Sequence, residues 1–152
     1  MVSNATIFEL QQELDIAITK DMNIKINYEI NTSVNFLDVT ITNANGQLKT
    51  SIYHKPTTEP YILPFTSYHP RHVHRNTPYA ALLRAARLCS SVNDFHSELI
   101  RIDMSLLLNN YPPQFIKSQF DRFFRCNDAL QVWQAVDETV YYQLHRRLLQ
   151  QP

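Results

Sequence analysis

A chain of 152 residues with a single glycine has few places to reverse direction tightly, and that glycine, Gly46, directly follows Asn45. Asn-Gly tolerates positive φ at both central positions of a two-residue type I′ turn, the reversal that matches the twist of paired strands. A hairpin is expected here, with Ala44 opposite Gln47, Ile41 opposite Thr50, Val39 opposite Ile52 and Leu37 opposite His54. In that register Leu37, Val39, Ile41, Leu48 and Ile52 share one face, and Phe36, Asp38, Thr40, Lys49, Ser51 and Tyr53 the other.

Upstream, Ile7, Leu10, Leu14 and Ile18 recur at three and four residues behind Thr6-x-x-Glu9, a capping-box pattern. This predicts a helix over about 6–20. Ile24, Ile26, Tyr28 and Ile30 alternate with Lys25, Asn27 and Glu29, the period of a half-buried strand, and Val34–Thr42 reads as the next strand. With the strand after Gly46 they make a small antiparallel three-stranded sheet. Pro56, Pro60, Pro64 and Pro70 then interrupt Tyr61, Phe65 and Tyr68. Proline fixes φ and removes a donor, so an extended connector whose aromatics pack on something is expected, and a domain boundary with it.

Beyond Pro70 the apolar period is 3.6. A short turn from Pro70 to Arg75 is expected to present Arg71, His74 and Arg75 to solvent. Thr77-Pro78 starts a helix with Tyr79, Leu82, Leu83 and Ala86 inward. Asn93 caps another, with Phe95, Leu99, Ile102 and Leu106 inward, ended by the run Asn109 to Pro113. Pro113 opens a helix carrying Ile116, Phe120, Phe123 and Phe124, and Asn127 caps a last one carrying Leu130, Trp133, Val136, Val140, Leu144 and Leu148. The expected fold is α+β. Residues 1–55 form the helix and sheet, 56–70 a Pro-rich linker, 71–125 a helix-turn-helix-like domain, and 126–152 a C-terminal helix, giving a bundle of four to five helices.

With 44% hydrophobic and 11% aromatic residues the chain can bury a real core, and its formal net charge is zero. The charge is unevenly placed. Residues 1–47 carry Lys20 and Lys25 against Glu9, Glu13, Asp15, Asp21, Glu29 and Asp38. Residues 48–92 carry Lys49, Lys55, Arg71, Arg75, Arg84 and Arg87 against Glu59 alone, with His54, His69, His72 and His74 besides. Cys89 and Cys126 form neither a CxxC pattern nor a disulfide framework, in keeping with a reducing intracellular compartment, nuclear or cytoplasmic. No targeting segment and no membrane-spanning apolar run is visible.

Catalytic patterns are missing. Two-metal nucleotidyl transfer needs paired carboxylates, and Asp38 stands alone in its hairpin, so a structural or positioning role is favoured for it. His69, His72 and His74 are spaced unlike recurrent zinc ligands and interleave with Arg71 and Arg75, which favours a cationic surface over a metal site. No nucleophile–base pair or phosphate loop appears, and neither cofactor nor metal is expected. Leu130, Trp133, Val140, Leu144 and Leu148 approach heptad spacing. Packing of Trp133 on Phe120, Phe123 and Phe124 within the chain is favoured over a dimer seam, so a monomer is expected.

The combination Asn35-Phe36-Leu37-Asp38-Val39, Asn45-Gly46, Tyr53-His54-Lys55-Pro56-Thr57 and Ser67-Tyr68-His69-Pro70 resembles the tail of a Penelope-like retroelement reverse transcriptase. In that family these elements follow the catalytic Tyr-x-Asp-Asp, and the Ser-x-His-Pro element leads into a small helical domain, by analogy the thumb. The counterparts here are Ser67, His69 and Pro70, then Tyr79, Leu83, Arg84 and Arg87, then Phe95, Leu99, Leu107, Asn110, Tyr111, Pro112 and Ile116, so the resemblance covers about residues 10–120. The chain departs from the family at His54 and His74, where Lys or Arg is common. It also lacks the catalytic pair, the fingers and the downstream GIY-YIG endonuclease, as a truncated or decayed copy or a piece of a mis-split gene would.

The resemblance implies a non-catalytic fragment, not an enzyme by itself, whose missing upstream polymerase domain would be a partner. Its expected role is to hold a primer-template duplex or RNA–DNA hybrid through phosphate contacts from Lys55, Arg71, His74, Arg75, Arg84 and Arg87. The other class of reading is a protein-interaction or structural module, its Trp133 helix completing a partner or a second copy.

Overall fold

The Asn45–Gly46 reversal sits where the sequence places it, with φ of 54° and 89° at its two central residues, and it sets the register of everything around it. In the computed structural model, which describes residues 5–20, 25, 27–56 and 62–151, β2 (Val39–Ala44) and β3 (Gln47–Ile52) pair antiparallel with Ala44 opposite Gln47, Ile41 opposite Thr50 and Val39 opposite Ile52. The sheet has three strands in the order β1-β2-β3, β1 being Ser33–Phe36.

That third strand corrects the sequence reading. The expected strand Val34–Thr42 reverses at Leu37–Asp38, so Phe36 lies opposite Val39 and on its face, and Leu37 is not opposite His54. Leu37 takes φ 54°, a conformation costly to a side chain with a Cβ and one that no leucine advertises. The fold-back also explains why Lys25 and residues 27–30 belong to no strand: β1 occupies the edge of β2 that they would need. Ile24 and Ile26 lie outside the described residues.

The helix α1 (Ile7–Thr19) opens with the expected capping box: the Thr6 backbone N–H donates to Glu9 Oε2 at 2.8 Å, and the Glu9 N–H donates to Thr6 Oγ1 at 3.4 Å. The hydrogen bonds from Thr6 hold the Glu9 carboxyl below its usual range. The core lies elsewhere. It is built from α2 (Arg71–Leu88), α3 (Val92–Leu108), α4 (Pro113–Cys126), α5 (Leu130–Ala135) and α6 (Glu138–Leu149), and no described residue before His74 is buried.

Three helix boundaries move. Pro78 does not start a helix but lies inside α2, which runs on upstream because His74 and Pro78, one turn apart, both face the core. Ser91, not Asn93, caps α3, its hydroxyl accepting the Asp94 N–H at 3.2 Å. Asn127 closes α4, its amide donating to the Phe123 carbonyl at 2.8 Å, and the expected last helix is broken by Val136, φ 52°, before Asp137 caps α6. Pro113 opens α4 as expected.

Burial of Leu82, Ala85 and Ala86 lets α3, α4 and α6 close on α2, and aromatic rings fill the remaining space. Phe95 stacks on Tyr141 at 4.9 Å, and Trp133 stacks on Phe124 at 5.6 Å, the intramolecular packing expected of Trp133. Burial pushes the Cys89 thiol up to about 11 and raises the Tyr141 hydroxyl as well. The Tyr141 hydroxyl donates to the Cys89 carbonyl at 2.6 Å, fastening α6 to the end of α2. The sheet joins this bundle through Ile52 and through Ser90 in the α2–α3 turn: the Ser90 N–H donates to the Thr50 carbonyl, 2.8 Å, and the Thr50 N–H donates to Ser90 Oγ, 2.9 Å. Of the linker aromatics, Phe65 packs against Tyr111, Phe115 and His74, while Tyr68 is fully exposed.

Two stability changes follow. Tyr141→Phe removes the hydroxyl that donates to the buried Cys89 carbonyl and is expected to cost about 1–3 kcal/mol in chemical denaturation. Leu37→Asn places a residue that tolerates positive φ at a position 76% exposed, so slower amide exchange across β1 and β2 is expected, by roughly the 1 kcal/mol that a strained φ costs.

Candidate nucleic-acid interface

The charge of the helix pair is divided sharply between its members. Within α2 lie Arg71, Arg75, Arg84 and Arg87 and no carboxylate, whereas α3 carries Arg101 against Asp94, Glu98 and Asp103. Of the two helices, only α2 offers cations without acids on the same helix, the charge that phosphate contacts require.

The six sequence-derived contact residues do not form one surface. Arg71 and Arg75 are exposed, one turn apart at the start of α2, and neither makes an ion pair or hydrogen bond among the described residues. Lys55 and Arg84 line a separate open cleft between the sheet, α2 and α3, about 1060 Å³ in volume. There Arg84 Nη2 sits 2.8 Å from Asp38 Oδ2, both side chains being more than half exposed, so the pair adds little stability. The contact gives Asp38 a positioning partner, and its carbonyl accepts the Tyr53 N–H at 2.9 Å. In the same cleft His54 Nε2 and Glu98 Oε2 are 2.7 Å apart, linking the end of β3 to α3.

Arg87 is engaged inside the fold. Its guanidinium donates to the Leu148 carbonyl at 3.1 Å and to the Gln151 carbonyl at 3.3 Å, satisfying carbonyls that the end of α6 leaves over. His74 is the clearest correction: it is not presented to solvent but is 7% exposed, its ring among Phe65, His69 and Tyr111. Its Nε2 lies 3.3 Å from the Ser67 carbonyl. The reason is the continuous helix, which puts residue 74 one turn before Pro78 on the core face.

One cation escaped the sequence reading. Arg122 on α4 is exposed and lies over the Tyr79 ring, 5.9 Å from its centroid, while Tyr79 packs edge-on against Phe123. Tyr79 is one turn beyond Arg75, so Arg71, Arg75 and Arg122 follow one edge of the α2–α4 pair. Falling off the buried set Ile116, Phe120, Phe123 and Phe124 marks Arg122 as outward-facing, but its place beside α2 depends on how the helices cross.

The start of α2 is electrostatically unusual. Its N-cap is Pro70, with no side-chain hydrogen bond, and no acid lies in its first turn. Free N–H groups and the positive end of the helix dipole already favour an anion, and Arg71 beside them adds repulsion that only an anion relieves.

A family model described as the animal helix-turn-helix domain matches residues 61–121, which span α2, α3 and most of α4. No curated protein and no solved structure gives a significant match. Among the described residues no helix is long and apolar enough to cross a membrane. Arg84→Met is expected to leave stability within about 0.5 kcal/mol, and Arg87→Met to lower it by about 1–3 kcal/mol through the carbonyls it abandons; paired thermal melts distinguish the two roles. Residues 61–121 are a helix-turn-helix domain, joined at Ser90 to a small antiparallel sheet.

Proposed function

We propose that the chain is a non-catalytic nucleic-acid-binding element that grips the phosphate backbone of a duplex along the α2–α4 edge. What carries the reading is the uncapped, acid-free start of α2, where Arg71 and Arg75 have no ion-pair or hydrogen-bond partner among the described residues and Arg122 lies over Tyr79, one turn beyond Arg75. The helix-turn-helix match supports nucleic acid as the ligand class. The sequence resemblance supports the finer assignment, a piece of a Penelope-like reverse transcriptase whose duplex would be primer-template and whose catalytic carboxylates lie on a partner domain. Lys55 and Arg84 take a secondary part, since Arg84 must first exchange Asp38 for a phosphate.

Contacts of this kind position a duplex without reading its sequence. With about three phosphates neutralised, log K should fall against log salt with a slope of about −2 to −3, and each of Arg71→Gln, Arg75→Gln and Arg122→Gln should flatten it by about 0.9. Fluorescence anisotropy on an RNA–DNA hybrid across a salt series reads both quantities. An affinity indifferent to salt, or substitutions that leave the slope unchanged, would sink the proposal.

The competing protein-interaction reading also draws on one observation. The outer face of α3 is apolar, with Ile100, Met104 and Leu108 more than half exposed.

A further inference from the structure

Two apolar surfaces of this chain face solvent, and their shapes and charges match. The first is α1. Its stripe of Ile7, Leu10, Leu14 and Ile18 buries no residue: Ile7 is 63% exposed and the other three are half-buried, while Phe8 and Ile16 stand exposed beside it. The only charged residues in α1 are Glu9, Glu13 and Asp15, and the 3.6 period puts Glu13 on one flank of the stripe and Asp15 on the other. On its own chain the helix buries none of its residues, and beyond its cap the Tyr28 hydroxyl donates to Asp15 Oδ1 at 3.4 Å.

The second surface is α3. Ile100, Met104, Leu107 and Leu108 recur at four, seven and eight residues, the spacing of one helical face, and all four are exposed. Beside this ridge runs a groove of about 400 Å³ between α3 and α4, with Leu99, Leu107, Ile116, Phe120 and Trp133 in its wall. Cations border the apolar strip on both sides: Arg101 lies beyond Met104 around α3, and Lys117 stands on the α4 wall. Asp103 is the one carboxylate among the residues lining that groove.

We infer that α1 of one copy docks its apolar stripe into the α3–α4 groove of a second copy, forming a twofold dimer in which each chain both gives and receives a helix. An acidic-flanked stripe and a cation-flanked groove are complementary in charge as well as in polarity. The helix spans about 20 Å at 1.5 Å per residue, enough to cover the α3 ridge from Ile100 to Leu108, about 12 Å. Twofold pairing covers both stripes and both grooves at once and leaves no surface to propagate. The mode is helix-in-groove recognition, read by anchors at i, i+3 or i+4, and i+7. The expectation of a monomer rested on Trp133 lying within its own chain, which it does; the surface that seeks a partner is a different one.

Sedimentation velocity over a concentration series tests this on the full chain. A concentration-dependent dimer is expected. Ile100→Glu in the groove and Leu14→Glu in α1 should each raise its dissociation constant at least about tenfold, with far-UV circular dichroism and the melting temperature of the helical domain little changed, since neither side chain is buried. Mixing the two variants should restore dimer, because one native stripe then meets one native groove. A monomer at every concentration, which own-chain docking of α1 would also give, overturns the inference. So does a dimer indifferent to both substitutions, or no recovery on mixing. Binding of nucleic acid through Arg71, Arg75 and Arg122 is read separately and survives either outcome.

Discussion

The seating of α2 governs what the rest of the molecule can present. Leu82, Ala85 and Ala86 are wholly buried, and the two alanines allow the neighbouring helices to approach an 18-residue helix closely along its middle. That seating fixes the helix's rotation, so each arginine's role is decided by angle rather than by chemistry. Arg71 and Arg75 emerge at the free end, Arg84 turns toward the sheet and meets Asp38, and Arg87 turns toward α6 and closes its last carbonyls. His74 has no outward option, because its turn of helix lies on the core side with Pro78.

The division of charge between α2 and α3 gives this helix-turn-helix an uncommon polarity. In DNA-binding members of the motif the second helix enters the major groove and reads base edges. Here the second helix shows solvent an apolar ridge and the carboxylates of Asp94 and Asp103 against one arginine, while Glu98 is buried against His54, an arrangement that suits neither phosphates nor bases. The first helix holds the cations. On the proposed reading such a protein would hold a duplex by its backbone and leave α3 free for protein contacts, so the two functional readings occupy different faces.

Much of this was legible in the residues where a local rule decides the outcome. Asn45-Gly46 fixes a turn and hence a register, Thr6 and Glu9 fix a helix start, and Pro113 fixes another. The inward faces of α3 and α4 followed from period alone. What escaped depends on competition between local preference and tertiary packing. Pro78 looks like a first-turn proline, yet burial of His74 and Pro78 carries the helix past it. Leu37 and Val136 adopt positive φ with no residue type to announce it, so one expected strand became two and one expected helix became two. Arg122 joins Arg71 and Arg75 only through the crossing of α2 and α4, which no spacing along the chain encodes.

The most direct test of the proposed phosphate contacts is a backbone amide chemical-shift titration of the intact chain with an RNA–DNA hybrid. Phosphate binding along the α2–α4 edge predicts the largest changes at residues 69–79 and 118–125, with α3 between Asn93 and Leu108 little affected. Changes concentrated on the outer face of α3, or spread evenly over the protein, would contradict it.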